Sequence, residues 1–201
     1  MIKAITFDLD GVYFPSGKAN FIKALEQHGV SEDEAKRVFL KSDEMNSQYK
    51  LGKMSDEAYW TWAANEWELN MSAKELIGLL INGYSVSPGV ENAVHSARRH
   101  GYKTLACSNN FPARVNGLQE RFGFLDNFDA SVFSYEIGAT KPSEAIFTEL
   151  VKRSGVTAEE IAFADDDAEN LSGAKTVGIT AFLYEDFDKF TKDLKELGVE
   201  L

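Results

Sequence analysis

The chain has 201 residues, 44% of them hydrophobic and 26% charged, with a formal net charge of -11. That length suits one catalytic domain, alone or with an insertion, and buries a core without covalent staples. The acidic balance disfavours nucleic-acid binding, and the single cysteine, Cys107, excludes an internal disulfide framework and fits a reducing compartment.

The first predicted element is a short apolar strand, Lys3 to Phe7, which runs into Asp8-Leu9-Asp10-Gly11. Its early charge argues against a secretory signal, and no apolar run approaches the ~20 residues of a membrane span. A cytoplasmic protein with no membrane partner is expected. Residues from about 17 to 83 read as helical throughout. Ser31-Glu32-Asp33-Glu34 and Ser72-Ala73-Lys74-Glu75 have capping-box spacing, and Ser55 before Asp56 and Glu57 marks a third helix start. Phe21, Ile22 and Leu25 suit one apolar face, as do Leu76, Leu79 and Leu80. All three tryptophans, Trp60, Trp62 and Trp67, fall here. They are expected to pack the insertion rather than to bind a sugar.

From about residue 84 the rhythm becomes helix, strand, helix, strand. The expected elements are a helix from Val90 to His100, a strand from Lys103 to Cys107, and a helix opened by Pro112. A strand from Ala130 to Phe133, a helix from Pro142 to Lys152 and a strand from Ile161 to Ala164 follow. The pattern closes with a helix from Glu169 to Thr176, a strand from Thr180 to Leu183 and an amphipathic helix from Asp186 to Leu197. Alternation of this kind predicts an α/β fold: a parallel sheet, buried on both faces, with helices on each side. The organisation expected is a core of residues 1–15 and 84–201, interrupted after its first strand by a helical insertion, 16–83.

Open parallel sheets bind ligands beyond the carboxyl ends of their strands. Four segments bring polar groups to that edge: Asp8-Leu9-Asp10-Gly11, Ser108-Asn109, Lys141 and Asp165-Asp166. Four carboxylates there repel one another unless some are protonated or a cation binds. Oxygen-only ligands favour a hard ion, and Mg²⁺ suits a site that also holds phosphate. Taken singly, each segment has a plainer reading. Asp8 and Asp10 could be a solvated turn, Ser108 a helix cap, Lys141 a surface lysine, and Asp165 to Asp167 an N-terminal acid cluster favoured by the helix dipole. Their joint occurrence argues for a site.

The four segments, in this order, resemble the haloacid dehalogenase superfamily of aspartate-nucleophile phosphatases. Asp8-Leu9-Asp10-Gly11-Val12 is similar to its first motif. Leu105-Ala106-Cys107-Ser108-Asn109 is similar to the second, Gly138-Ala139-Thr140-Lys141-Pro142 to the third, and Phe163-Ala164-Asp165-Asp166 with Asn170 to the fourth. The resemblance implies a Rossmann-like core, and it likens residues 16–83 to the α-helical cap of the phosphoglucomutase-like branch. It implies Asp8 as nucleophile, Asp10 as general acid and base, and Ser108, Asn109 and Lys141 as phosphoryl-binding groups. Mg²⁺ would be held among Asp8, Asp10, Asp165 and Asp166, with Asp166 preferred to Asp165 as direct ligand. An aspartate at position 10 favours phosphoryl transfer over carbon–halogen cleavage. The implied substrate is a small phosphorylated metabolite, sugar phosphates among them, acted on by a monomer or weak homodimer. A sugar phosphomutase and a non-catalytic binding protein of the same fold are the alternatives. Tyr13, Lys18 and Lys50 could face substrate or simply be solvated. His28, His95 and His100 show no ligand spacing, and Cys107 reads as inert packing.

Overall fold

The computed structural model describes all of residues 1–201. Five strands form one parallel sheet: β1 (Ala4–Phe7), β2 (Lys103–Ser108), β3 (Ala130–Phe133), β4 (Ile161–Asp165) and β5 (Thr180–Leu183). Their order is β3-β2-β1-β4-β5, so β1 is central, with Phe7 opposite Ala106 on one side and Ala164 on the other. Every residue of β1 is buried, as a strand covered on both faces requires.

Side chains alternate between two layers, because successive residues of a strand point to opposite faces. Ile5, Phe7, Ala106, Ala162 and Ala164 join the larger apolar cluster. It includes Val90 and Val94 of α5 (Pro88–Arg99), Leu118 of α6 (Pro112–Phe122) and Phe190 of α10 (Phe187–Glu196). Ala4, Leu105, Cys107, Ile161 and Phe163 face the other way, onto α8 (Glu144–Ser154) and α9 (Leu171–Val177). A one-turn helix, α7 (Ser134–Ile137), follows β3. The result is the expected parallel sheet between two helical layers.

Residues 17–82 contain no strand. They form α1 (Gly17–Gln27), α2 (Glu32–Lys36), α3 (Asp56–Glu66) and α4 (Ala73–Asn82), with π-helical stretches at Arg37–Lys41 and Glu44–Tyr49. Ser31, Ser55 and Ser72 each cap a helix by accepting from the backbone N–H three residues on. The box at Ser72–Glu75 is reciprocal. The one expected at Ser31 is half made, because Glu34 turns instead to Arg37 at 2.9 Å. Trp60 is fully buried and donates its indole N–H to the Tyr49 hydroxyl (3.0 Å) among Phe21, Phe39 and Phe111. The tryptophans therefore pack, as expected. Phe111 lies just before α6, so the insertion's aromatic core runs into that of the sheet.

Strand boundaries match the sequence expectation to within one residue, with β2 and β4 each extending one residue further, to Ser108 and Asp165. Helix α8 begins at Glu144 rather than at Pro142, since Ser143 supplies its cap. Helix α9 begins at Leu171 rather than Glu169, because residues 168–170 form a tighter 3₁₀ turn first.

Candidate active site

The central strands deliver their acids to one edge. Asp8 follows β1 directly, and the chain then folds back tightly: Phe14 N–H donates to the Leu9 carbonyl (2.7 Å) and Gly11 N–H to the Phe14 carbonyl (3.1 Å). Gly11 has φ +83°, open to glycine at little cost, and a Cβ there would overlap the Asp166 carboxylate. That close approach lets the β1 loop and the β4 loop share one site.

Asp8, Asp165 and Asp166 each offer a carboxylate oxygen, and the three oxygens lie within 4.8 Å of one another. Lys141 joins two of these acids from the loop before α8. Its ammonium, almost wholly buried, donates to Asp8 Oδ1 (2.7 Å), Asp165 Oδ2 (2.6 Å) and the Cys107 carbonyl (3.0 Å). All three of its N–H donors are thereby used. Burial disfavours the charge, but Asp8 and Asp165 outweigh it and hold the lysine protonated, its pKa raised. Burial raises Asp8 to about 6, with Lys141 opposing and Asp165 adding to the rise. Asp166 is raised as well, by desolvation and by Asp165. One buried ammonium therefore does not compensate the acid cluster.

The two acids after β4 differ in what they have free. Asp165 Oδ1 accepts from Asp167 N–H (2.9 Å) and Asn170 Nδ2 (3.0 Å), while its Oδ2 holds Lys141. Asp166 is exposed and lines the pocket. Asn109 clamps the Lys141 backbone at both ends: Lys141 N–H donates to Asn109 Oδ1 (2.7 Å) and Asn109 Nδ2 donates to the Lys141 carbonyl (3.1 Å). Ser108, at the end of β2, lines the same pocket.

Asp10, beside this cluster, has partners of its own, two of which, Tyr84 and Arg114, have no counterpart in the sequence reading. Tyr84 donates its hydroxyl to Asp10 Oδ1 (3.0 Å). Arg114 Nη2 lies 2.7 Å from Oδ2, an ion pair rather than an aligned hydrogen bond. Arg114 is itself buried, donating to Asn110 Oδ1 (2.7 Å), the Tyr84 hydroxyl (3.2 Å) and the Asn109 carbonyl (3.1 Å). Lys18 sits 3.4 Å from Asp10 Oδ2. Burial alone would raise Asp10, but Arg114, Lys18 and the Tyr84 hydrogen bond together hold it below its ordinary value.

These groups open into a cavity of about 220 Å³ with no apolar lining: Asp8, Asp10, Lys18, Lys50, Ser108, Asn109, Lys141, Asp166, Asp167 and Asn170. Every candidate residue from the sequence lies on it except Asp165, which is buried behind Lys141. Of the three residues with an open reading, Lys18 and Lys50 face the cavity. Tyr13 does not: it is buried, with its hydroxyl between Glu91 and Asn127. His100 caps the end of α5, its Nδ1 2.9 Å from the Ser96 carbonyl. Cys107 is packed, and burial pushes its thiol up to about 12. Arg114 and Tyr84 escaped the sequence reading. The available signal was Arg114 itself, a cation in the first turn of a helix, where the dipole disfavours it unless an anion is near.

The family model for haloacid dehalogenase-like hydrolases matches residues 2–178. A phosphatase of Mycobacterium tuberculosis is 27% identical, over all of this chain and 97% of that protein. Glyceraldehyde 3-phosphate phosphatase of Methanopyrus kandleri is 24% identical, over 96% of this chain and 90% of that one. Among solved structures, a haloacid dehalogenase family enzyme of Bacteroides thetaiotaomicron, in complex with magnesium and inorganic phosphate, superposes with a TM-score of 0.78. It has 20% identity and covers 94% of this chain and 99% of that one. L-2-haloacid dehalogenase of Xanthobacter autotrophicus gives a TM-score of 0.67 at 22% identity, over 90% and 76%. No helix is long and apolar enough to cross a membrane. With its model matched across nearly all of the sheet and the site, the chain belongs to the haloacid dehalogenase-like hydrolases.

Proposed function

We propose that this hydrolase is a magnesium-dependent phosphatase of small phosphate monoesters, sugar phosphates among them, that carries the phosphoryl group on Asp8. The observation that carries the reading is the buried Lys141 bridging Asp8 and Asp165 beside Asp166, at the floor of a wholly polar cavity. The relatives named as phosphatases point the same way.

The donor set fits magnesium. It offers only oxygens, and its carboxylates are under-compensated by Lys141, so a hard divalent ion would relieve them. Asp8, Asp166 and the backbone carbonyl of Asp10 would hold it. Asp165, with both oxygens already accepting from protein donors, would support from behind. When bound, the ion would offset the repulsion between an anionic nucleophile and an anionic phosphate.

Asp8 attacks phosphorus with a carboxylate oxygen, and the bond from phosphorus to the leaving oxygen breaks. That oxygen takes a proton from the carboxyl of Asp10. Water then attacks phosphorus and gives a proton to Asp10, the bond to Asp8 breaks, and phosphate leaves. Asp10 stands ionised between Arg114 and Lys18, the state needed for the second half-reaction. A dianionic ester beside it raises its affinity for the proton needed in the first. Lys141 orients Asp8 and balances the transferring oxygens together with Ser108. Residues 16–83 serve as the cap over the core of 1–15 and 84–201, excluding bulk water while Asp8 is loaded. The buried Cys107 fits a cytoplasmic setting, and a metabolite-sized cavity asks no more than a monomer or weak dimer.

Phosphate release from a panel of phosphorylated metabolites, with and without Mg²⁺, tests the reading. Asp8→Asn is expected to bring release to background. Asp10→Asn should leave slow turnover that improves with better leaving groups, since proton donation is typically worth ~10²–10⁴ in rate. Unchanged turnover by the Asp8→Asn protein overturns the mechanism.

A further inference from the structure

One of the three lysines lining the cavity has no acidic partner. Lys141 pairs with Asp8 and Asp165, and Lys18 lies 3.4 Å from Asp10. Lys50, which follows the π-helical stretch Glu44–Tyr49, has no carboxylate within ion-pair distance. Its ammonium donates to Asn46 Oδ1 at 2.9 Å, and Asn46 is fixed in turn by donating to the Leu40 and Ser42 carbonyls. One of three ammonium donors is thus satisfied by the protein, on a side chain held over the cavity from the insertion. The other two N–H donors are left for water or for a ligand in the cavity. Burial, with Lys18 and Arg114 nearby, lowers Lys50 to about 7, so an arriving anion would restore its charge.

We propose that Lys50, with Lys18 beside it, forms a subsite for a second anionic group on the leaving-group side of the substrate. This rests on the phosphatase reading and narrows it: the ester would be a small, polar molecule bearing a carboxylate or a second phosphate besides the phosphoryl group transferred. The cavity supports the small size. At about 220 Å³ it falls below the ~300–1,000 Å³ of ordinary ligand pockets, and without an apolar wall it offers nothing to a ring base or alkyl chain. Ser108 ends β2, and the Lys141 ammonium sits on Asp8 and the Cys107 carbonyl, where the transferred phosphoryl group would sit.

The test compares three esters of one carbon skeleton size: carboxymethyl phosphate, ethylene glycol bisphosphate and the neutral-tailed 2-hydroxyethyl phosphate. The wild-type protein with Mg²⁺ should show higher kcat/KM for one or both of the anionic-tailed esters. Which of the two wins tells carboxylate from phosphate. Lys50→Met should lower the anionic-to-neutral ratio by about tenfold or more, mostly through KM, because one charge-assisted contact is lost. Lys50→Arg should keep the preference, which separates loss of charge from loss of folding. Binding of the same esters to the Asp8→Asn protein by calorimetry gives a readout independent of turnover. A ratio that is the same in wild type and Lys50→Met, or a preference for the neutral ester in both assays, overturns the subsite while leaving phosphatase activity standing. Anionic preference in binding, lost with Lys50→Met but without turnover by the wild type, upholds the subsite and overturns the phosphatase reading. If no ester is bound or hydrolysed, both fall.

Discussion

Asp10 and Arg114 form a buried ion pair at 2.7 Å, with the guanidinium also committed to Asn110, Asn109 and Tyr84. Removing one member of such a pair leaves an uncompensated buried charge, at a cost of about 3–5 kcal/mol. Arg114→Met should therefore destabilise strongly, and Asp10→Asn/Arg114→Met together should cost clearly less than the sum of the two single changes. Urea unfolding of the four proteins measures the coupling, and additive losses would contradict the pairing. The catalytic candidates themselves were legible, because each belongs to a short pattern, three of them at strand ends and the fourth, around Lys141, in the loop before α8. Arg114 was not, since it sits within a helix and its partner lies 104 positions earlier in the chain, a proximity that only folding creates.

At the scale of elements, the helical segment between β1 and α5 is tied to α6 by Asp56, the first residue of α3. Its Oδ1 accepts from the Tyr49 hydroxyl (2.6 Å) and from the N–H of Ala113 in the first turn of α6 (3.1 Å). One carboxylate thus satisfies an orphan donor of a helix in the core. Asp56→Ala should leave both donors unmatched, costing about 1–3 kcal/mol. In a chain of this size that corresponds to a fall in Tm of roughly 2–12 °C, read by thermal unfolding. Gly52 marks a second contact, where a Cβ would press on the Tyr135 carbonyl. Helix starts were readable to the residue at Ser31, Ser55 and Ser72, because an N-cap is a local bond between neighbours. The π-helical stretches were not, since they arise where packing around Phe39, Tyr49 and Trp60 overrides local preference.

Across the whole molecule, the acid cluster links stability to pH and to metal. Asp8 has its pKa raised from 3.8 to about 6 in the metal-free fold. A carboxyl so raised contributes stability below its unfolded pKa and loses it as pH rises through the folded value. The metal-free protein should thus weaken between about pH 4 and about pH 6, by about 3 kcal/mol from this group. Above that window Asp8 is ionised and ready for a divalent ion; below it, protons compete. Mg²⁺ should raise Tm more at about pH 7.5 than at about pH 4.5, checked by thermal unfolding with and without the ion. An equal shift at both pH values would separate Asp8 from the metal.

Read alone, the chain determined its alternation of strands and helices, its uninterrupted helical segment and the four acid, serine and lysine patterns, because hydrophobic period, capping and strand-end chemistry are local properties. Those suffice to infer a parallel sheet with one functional edge. Tertiary structure alone decided that Asp165 turns inward to Lys141 while Asp166 faces the cavity, that Arg114 and Tyr84 close on Asp10, and that Lys50 reaches the cavity without an acidic partner. Charge pairing depends on distances across the fold rather than along the chain, and no local pattern encodes them.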